Sequence, residues 1–355
     1  MKRYGDTPRH KPEPFQQQQQ QRHKQVSTQC NITTMKKALI SAICLFAATT
    51  VAAQTVIIDG VPRDTSFTLD GTYKKERKYR PYIEPVRASL PQGVRAYEDV
   101  TYKKVSNSLG KHALKMNIYR PDDNKKYPVL LMIHGGGWNS GSPELQVPMA
   151  QQIAARGYVA IPVEYRLIPE ALYPAGVEDL EDAVEWVYKN AKRYGIDRKK
   201  IAVSGCSAGG QLAMLLGMQN KSGKIGAVIN MDGISSFVTE ESVGRAREAR
   251  AKGKTLPVDA IWLGGTYEEQ PENWKGASAL FWIGRQSAPV CFINSSIPRF
   301  HNGRDEATAK LDSLGIHSEV HTLEDTPHTY WFFRPWFDTA VAHMTTFLDR
   351  IFKEK

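Results

Sequence analysis

The sequence predicts an α/β fold, a mostly parallel sheet covered by helices on both faces. Two observations carry this. Short apolar runs at 129–134, 159–164 and 225–231 have the continuous hydrophobicity of strands buried on both faces. Stretches with helical periodicity alternate with them, as crossovers between parallel strands require.

Taken in order, residues 95–105 and 114–119 alternate as edge strands, with a turn at Pro121-Asp122-Asp123-Asn124. The strand at 129–134 runs into Gly135-Gly136-Gly137. A helix over 148–156 starts on a proline, whose missing N–H costs nothing in a first turn, and stops at Gly157. After the strand at 159–164, Leu180, Ala183, Val184 and Val187 fall at helical spacing and predict a long helix over 176–194. Strand 200–204, helix 208–218 and strand 225–231 follow. Strand 289–294, helix 305–314, strand 319–323 and helix 336–352 close the domain. The charged stretch 233–288 is a cap-like insertion after the sixth strand. It is expected over the C-terminal edge of the sheet, where open α/β folds bind ligands.

The domain occupies 94–355 and is preceded by a polar strap, 54–93. Residues 1–34 are polar, with a glutamine run from Gln16 to Gln21, and are expected to be disordered. At Met35-Lys36-Lys37 a basic start precedes an apolar stretch and the small residues Val51-Ala52-Ala53, the pattern of a secretory signal peptide over 35–53. Translation is therefore expected from Met35, with export to the periplasm or medium and no stable membrane span.

The formal charge is +10, but residues 1–53 hold eight Lys/Arg and two Asp/Glu. The remainder has 39 basic and 35 acidic residues, an excess too small to point to nucleic acid. Beyond the leader only Cys206 and Cys291 remain. Both sit in apolar runs and read as buried small hydrophobes, not as a disulfide or metal site.

Gly205-Cys206-Ser207-Ala208-Gly209 lies between an apolar strand and a helix, the setting of a nucleophile elbow with Ser207 as nucleophile. The glycines at 135–137 let a backbone approach a developing oxyanion, so the N–H groups of Gly136 and Gly137 are expected to donate beside that of Ala208. A phosphate loop would want a following helix and a lysine, and Trp138-Asn139-Ser140-Gly141 offers neither. His328 follows the last short strand, the place in chain order for the general base. His301, His317 and His321 are weaker candidates, and His134 is expected to be structural.

With these motifs, His134–Trp138, Glu164-Tyr165-Arg166, Tyr173-Pro174-Ala175-Gly176-Val177-Glu178-Asp179 and Gly205–Gly210 resemble the hormone-sensitive-lipase-like acetyl esterases of the α/β-hydrolase superfamily. Trp262-Leu263-Gly264-Gly265-Thr266, Pro271-Glu272-Asn273-Trp274 and Ala277-Ser278 resemble more narrowly the bacterial esterases that deacylate plant polysaccharides, including acetyl xylan and feruloyl esterases. The resemblance covers residues 94–352. It implies serine-dependent hydrolysis of an acyl ester, on a small-molecule or polysaccharide substrate, without metal or organic cofactor.

One position departs from that pattern. The resemblance implies a triad acid after the seventh strand, and aligning Ile297-Pro298 with the family's pair places Asn294 there. Two carboxylates could replace it: Asp232, at the end of the sixth strand, or Asp305, in the next helix. Asp232 is the first choice, although a turn cap before Gly233 is its bland reading. Asp305 equally reads as a charge in a first helical turn. Trp138, Trp331 and Arg299 are the candidates for substrate contact. Arg299 could pair with a uronate carboxylate or be an ordinary surface charge. A general carboxylesterase or lipase, and a catalytically weak binding scaffold, remain as alternative functions.

Overall fold

The computed structural model describes residues 55–353 apart from 59, 108 and 109. The expected disordered segment and signal peptide, 1–34 and 35–53, lie outside the described residues. Eight strands form one sheet: β1 (Val94–Asn107), β2 (Gly110–Pro121), β3 (Tyr127–Ile133), β4 (Val159–Val163), β5 (Ile196–Cys206), β6 (Ile225–Met231), β7 (Val290–Ser295) and β8 (Ser318–Leu323). Their spatial order is β1-β2-β4-β3-β5-β6-β7-β8. Strands β3 to β8 run parallel, and β2 is antiparallel to both neighbours.

The period-two geometry of a strand explains the layers. On β3, Val129, Leu131 and Ile133 pack into one core with Leu180 and Val184 of α3 (Ala175–Asn190) and Leu212 of α4 (Ala208–Gln219). Leu130 and Met132 enter the opposite core with Ile153 of α2 (Val147–Ala154) and with Met344 and Phe347 of α9 (Trp336–Phe352). These five β3 side chains are fully buried, each worth about 1.5–3 kcal/mol in area removed from water. Helix α4 is buried along its whole length because the insertion covers its outer side. Gln211 Nε2 donates to the Ala277 carbonyl there at 2.9 Å.

Helix α3 ends at Asn190, four residues short of the expected 194, and two strand boundaries also differ from the sequence reading. Strand β5 starts at Ile196, four residues early, and the β1–β2 ladder runs on to Asn107 opposite Gly110. In both places the backbone pairs beyond the apolar core while side chains such as Arg198 and Lys199 stay in solvent. Hydrophobic pattern reports the buried part of a strand, whereas hydrogen bonding extends past it.

The strap carries α1 (Leu69–Glu76), capped by Thr68, whose hydroxyl accepts from Gly71 N at 3.0 Å. It touches the loops that bear the candidate site. Asp64 forms a parallel bridge with Ser140, accepts from Asn139 Nδ2 at 2.6 Å, and its carbonyl accepts from Ser140 Oγ at 2.8 Å. Glu84–Pro85 pairs antiparallel with Phe333–Arg334, just past His328. The insertion supplies α5 (Glu240–Ala251), α6 (Val258–Trp262) and α7 (Pro271–Ala277), and α8 (Arg304–Ser313) follows β7. No helix among the described residues is long and apolar enough to cross a membrane.

One buried charge fastens the β4–α3 connection. Asp179, fully buried on α3, receives two bonds at 2.8 Å from the Arg166 guanidinium, one at 3.0 Å from Arg166 N, and one at 2.7 Å from Lys103 Nζ. Removing a partner of a buried ion pair leaves uncompensated charge. Asp179→Ala should therefore lower the unfolding free energy by about 3–5 kcal/mol. Asp305→Ala, at an exposed helix start, should change it by about 0.5 kcal/mol or less. Urea denaturation followed by circular dichroism compares the two, and equal midpoints would contradict this account.

Candidate active site

Ser207 sits between the last residue of β5 and the first of α4, with φ 54° and ψ −121°. Such a conformation costs a non-glycine residue of order 1–3 kcal/mol and persists only where its surroundings enforce it. Here Ser207 N donates to the Met231 carbonyl at 2.8 Å, and Gln211 N donates to the Ser207 carbonyl at 3.0 Å. The flanking glycines allow the close approach. A Cβ on Gly209 would lie 2.2 Å from the Ile133 carbonyl oxygen, so no larger residue fits between elbow and β3.

His328 reaches the serine from the loop after β8. Its Nε2 lies 2.8 Å from Ser207 Oγ, and its Nδ1 lies 2.9 Å from Asp232 Oδ2. With Nδ1–H donating to the carboxylate, Nε2 is left to accept the serine proton, the tautomer these partners require. Tyr330, two residues on, ties the loop to β7 through a 2.7 Å bond from its hydroxyl to the Ile293 carbonyl. The imidazole is clamped by rings. Phe300 stacks face to face on it with centroids 3.5 Å apart, and Trp331 meets it edge-on at 5.2 Å.

Asp232 ends β6 with φ 53° and is almost fully buried. Its Oδ2 serves His328, while Oδ1 accepts from Ser295 N at 2.7 Å and from Asn294 Nδ2 at 3.2 Å. Asn294, at the position where the resemblance implies an acid, is thus a donor to the carboxylate that stands there instead. Asp305 is elsewhere. Its side chain is 78% exposed and pairs with Arg304, so it does not meet the histidine.

Burial lowers the His328 pKa below the ordinary histidine value and the Arg299 charge lowers it further, against the raising influence of Asp232. His134, stacked on Tyr165 and fully buried, is pushed down to about 4 by desolvation and stays neutral. Its Nδ1 meets the Gly135 carbonyl at 2.9 Å, in keeping with a structural role. Cys206 and Cys291 are buried free thiols, with Cys206 raised by desolvation.

A cavity of about 500 Å³ opens on Ser207 and His328. Gly136, Gly137 and Ala208 line it. At Gly136 φ is 125°, and a Cβ would strike the Ser140 carbonyl oxygen at 2.0 Å, so the loop requires glycine. Ala208 opens α4, where the first backbone N–H groups have no intrahelical acceptor. The insertion lines it with Glu241, Arg245 and Asp259.

Of the substrate-contact candidates, Arg299 and Trp138 line the cavity. Trp138 is nevertheless committed to packing: its ring stacks on Trp262 at 4.9 Å and its Nε1 donates to Gln211 at 3.0 Å. Trp331 does not line the cavity. It is 3% exposed in the core against Tyr330 and Phe332, which corrects its expected role, because the aromatic run after His328 turns inward to seat α9. Phe300 escaped the sequence reading. Its only signal was an aromatic residue in the loop after the seventh strand. Among the described residues, Cys291, Glu319 and His321 come close enough together to hold a metal ion, and none of them lines the cavity.

A parallel sheet of this order, with a serine on the strand–helix elbow and a histidine bridging it to a strand-end aspartate, defines an α/β-hydrolase. More particularly, residues 116–297, just over half of the chain, match the family model described as BD-FAE, and the chain belongs to that family. It is 34% identical over 257 residues to the AB hydrolase superfamily protein C1039.03 of Schizosaccharomyces pombe, covering 66% of this chain and 73% of that one. It is 28% identical to the esterase LipC of Mycobacterium tuberculosis over 196 residues, 51% of this chain. The match spans 47% of the length of LipC, about half. Among solved structures, esterase B of Lactobacillus rhamnosis superposes with a TM-score of 0.59 at 17% identity, covering 80% of this chain and 94% of that one. A truncated carbohydrate esterase from gut microbiota gives 0.55 at 18% identity over 75% and 97%. These two likenesses speak for the fold.

Two outcomes are expected of the site. Asp232→Asn should reduce turnover by up to about 10⁴-fold, as removal of a histidine-orienting carboxylate does, whereas Asp305→Asn should leave it within about twofold. Steady-state assays on both variants test this, and comparable losses would remove Asp232 from the relay. Because only the neutral imidazole accepts a proton, kcat/KM should fall on acidification with an apparent pKa below about 6.5. A pH–rate profile with its acid limb above pH 7 would contradict the burial argument.

Proposed function

We propose that the protein is a serine carboxylic-ester hydrolase that removes acyl groups, acetyl foremost, from plant polysaccharide or its oligosaccharides outside the cytoplasm. The observation that carries the ester-hydrolase reading is the Asp232–His328–Ser207 hydrogen-bonded series at 2.9 and 2.8 Å, beside a glycine loop in one cavity. Ser207 Oγ attacks the acyl carbonyl carbon as His328 Nε2 takes its proton. The tetrahedral oxyanion sits against the N–H groups of Gly136, Gly137 and Ala208. His328 then gives the proton to the departing hydroxyl oxygen, leaving an acyl-serine. Water, deprotonated by the same nitrogen, releases the acid and restores Ser207. Asp232 holds the ring and stabilises its cationic form.

The names of similar proteins support ester hydrolysis: esterase LipC and carboxylesterase NlhH of Mycobacterium tuberculosis, and the ethyl acetate hydrolase of Pseudomonas putida. The polysaccharide reading rests on the resemblance of the insertion motifs, and export on the pattern at 35–53. A general carboxylesterase acting on small esters fits the same relay. The charged wall of Glu241, Arg245 and Asp259 favours a polar substrate over a lipid. Release assays on acetylated xylan, acetylated pectin, methylated pectin and feruloylated arabinoxylan separate these readings.

Ser207→Ala should lower turnover by about 10⁶-fold while the protein stays folded. Hydrolysis of p-nitrophenyl acetate, with thermal melting as the folding control, measures this. Activity within about tenfold of the parent protein would point to another nucleophile and revive the binding-scaffold reading.

A further inference from the structure

The active-site cavity is lined by two arginines among the described residues, and they differ in one respect. Arg245 is spent on Asp259, at 3.0 Å. Arg299 is exposed at the cavity and has no carboxylate partner among the described residues. Its guanidinium lies over the Phe300 ring, 4.5 Å from the centroid, and Phe300 in turn stacks on His328. The cation is therefore held one ring away from the reacting imidazole. A guanidinium lying against an aromatic face keeps its N–H groups available for a planar anion.

We infer that Arg299 forms a carboxylate-binding subsite beside Ser207, so that the preferred substrate is an ester on an acidic residue. The inference rests on the ester-hydrolase reading and names its substrate class. The chemistry fits an O-acylated uronosyl residue, in which carboxylate and ester share one sugar ring, and equally a small acylated hydroxy acid. The insertion's charges in the cavity would not compete for the anion, since Glu241 and the Arg245–Asp259 pair are together net negative. Two further charges bear on the histidine, Asp232 in direct contact and Glu76 of α1 at longer range, and both favour its cationic form. Arg299 opposes it. A substrate carboxylate seated on Arg299 would offset that opposition while the substrate is bound, which couples recognition to the basicity of the catalytic ring.

The experiment compares kcat/KM on three acetyl esters: acetylated oligogalacturonide, acetylated xylo-oligosaccharide and O-acetyl lactate. The full-length protein and Arg299→Gln are assayed on each, with thermal melting as the folding control. The acidic esters should be preferred over the neutral one, and Arg299→Gln should reduce the acidic-to-neutral ratio by about tenfold or more, the worth of a charge-assisted bond. Arg299→Lys should restore part of the ratio. Preference for the oligogalacturonide alone assigns the subsite to uronosyl chains, and preference shared with O-acetyl lactate assigns it to hydroxy acids generally. A ratio that Arg299→Gln leaves unaltered, or the absence of any acidic preference in the parent protein, would overturn the subsite. Failure of the underlying reading looks different: no acetyl ester is hydrolysed and a fluorophosphonate probe leaves Ser207 unlabelled, and the subsite proposal falls with it.

Discussion

The site depends on a single buried carboxylate being fully accounted for. Asp232 spends one oxygen on His328 and the other on Ser295 N and the Asn294 amide. An ionised group taken out of water is tolerable only when its lone pairs are met, and here each oxygen is. That arrangement fixes three chain segments at once: the end of β6, the end of β7 and the loop bearing His328. The imidazole orientation follows from it, and so does the direction in which Nε2 faces Ser207. Phe300 and Trp331 then limit the ring's remaining freedom from face and edge.

A second constraint is distance between backbones. The elbow and the glycine loop lie on adjacent strands, β5 and β3, and a nucleophile can share an oxyanion site with that loop only if the two turns nearly touch. Gly209 against the Ile133 carbonyl and Gly135 against the Cys206 carbonyl, where a Cβ would come within 2.7 Å, are the points of contact. The strap adds support to this loop through Asp64 and Ser140. A segment that looks featureless in composition thus braces the loop expected to hold the oxyanion.

What was legible in the sequence follows from how each signal arises. Buried strands write themselves as apolar runs, so β3, β4 and β6 are apparent, and Leu180 to Val187 announce α3 by periodicity. Ser207 and the loop at 135–137 were legible because tight backbone geometry demands glycine at fixed offsets. Position in chain order singled out His328. The ends of β1 and β5 were not, because backbone pairing beyond the core leaves no hydrophobic trace. Trp331 and Phe300 show the limit for aromatic residues. Composition marks both as large apolar groups, yet only the path of the loop decides that Trp331 turns into the core while Phe300 covers the imidazole. The acid was legible only as a choice between Asp232 and Asp305, since long-range proximity has no local signature.

The identity of residue 294 also has a physical rationale. Strands β6 and β7 are neighbours in the sheet, and Asp232 N donates to the Ile293 carbonyl at 3.2 Å, so a side chain from either strand end can reach the same point beside His328. Carboxylates on both ends would place two like charges in one buried site, and one of them would have to hold a proton. That proton would compete with His328 for the ionised acid. An amide avoids the conflict. Asn294 Nδ2 donates to Asp232, and its Oδ1 accepts from Arg304 at 3.2 Å, so both halves of the amide are used and no charge is added. Once the acid stands at the end of β6, asparagine on β7 is a better occupant than a second acid, and the departure from the expected pattern reads as compensation for a moved carboxylate and not as loss of the relay.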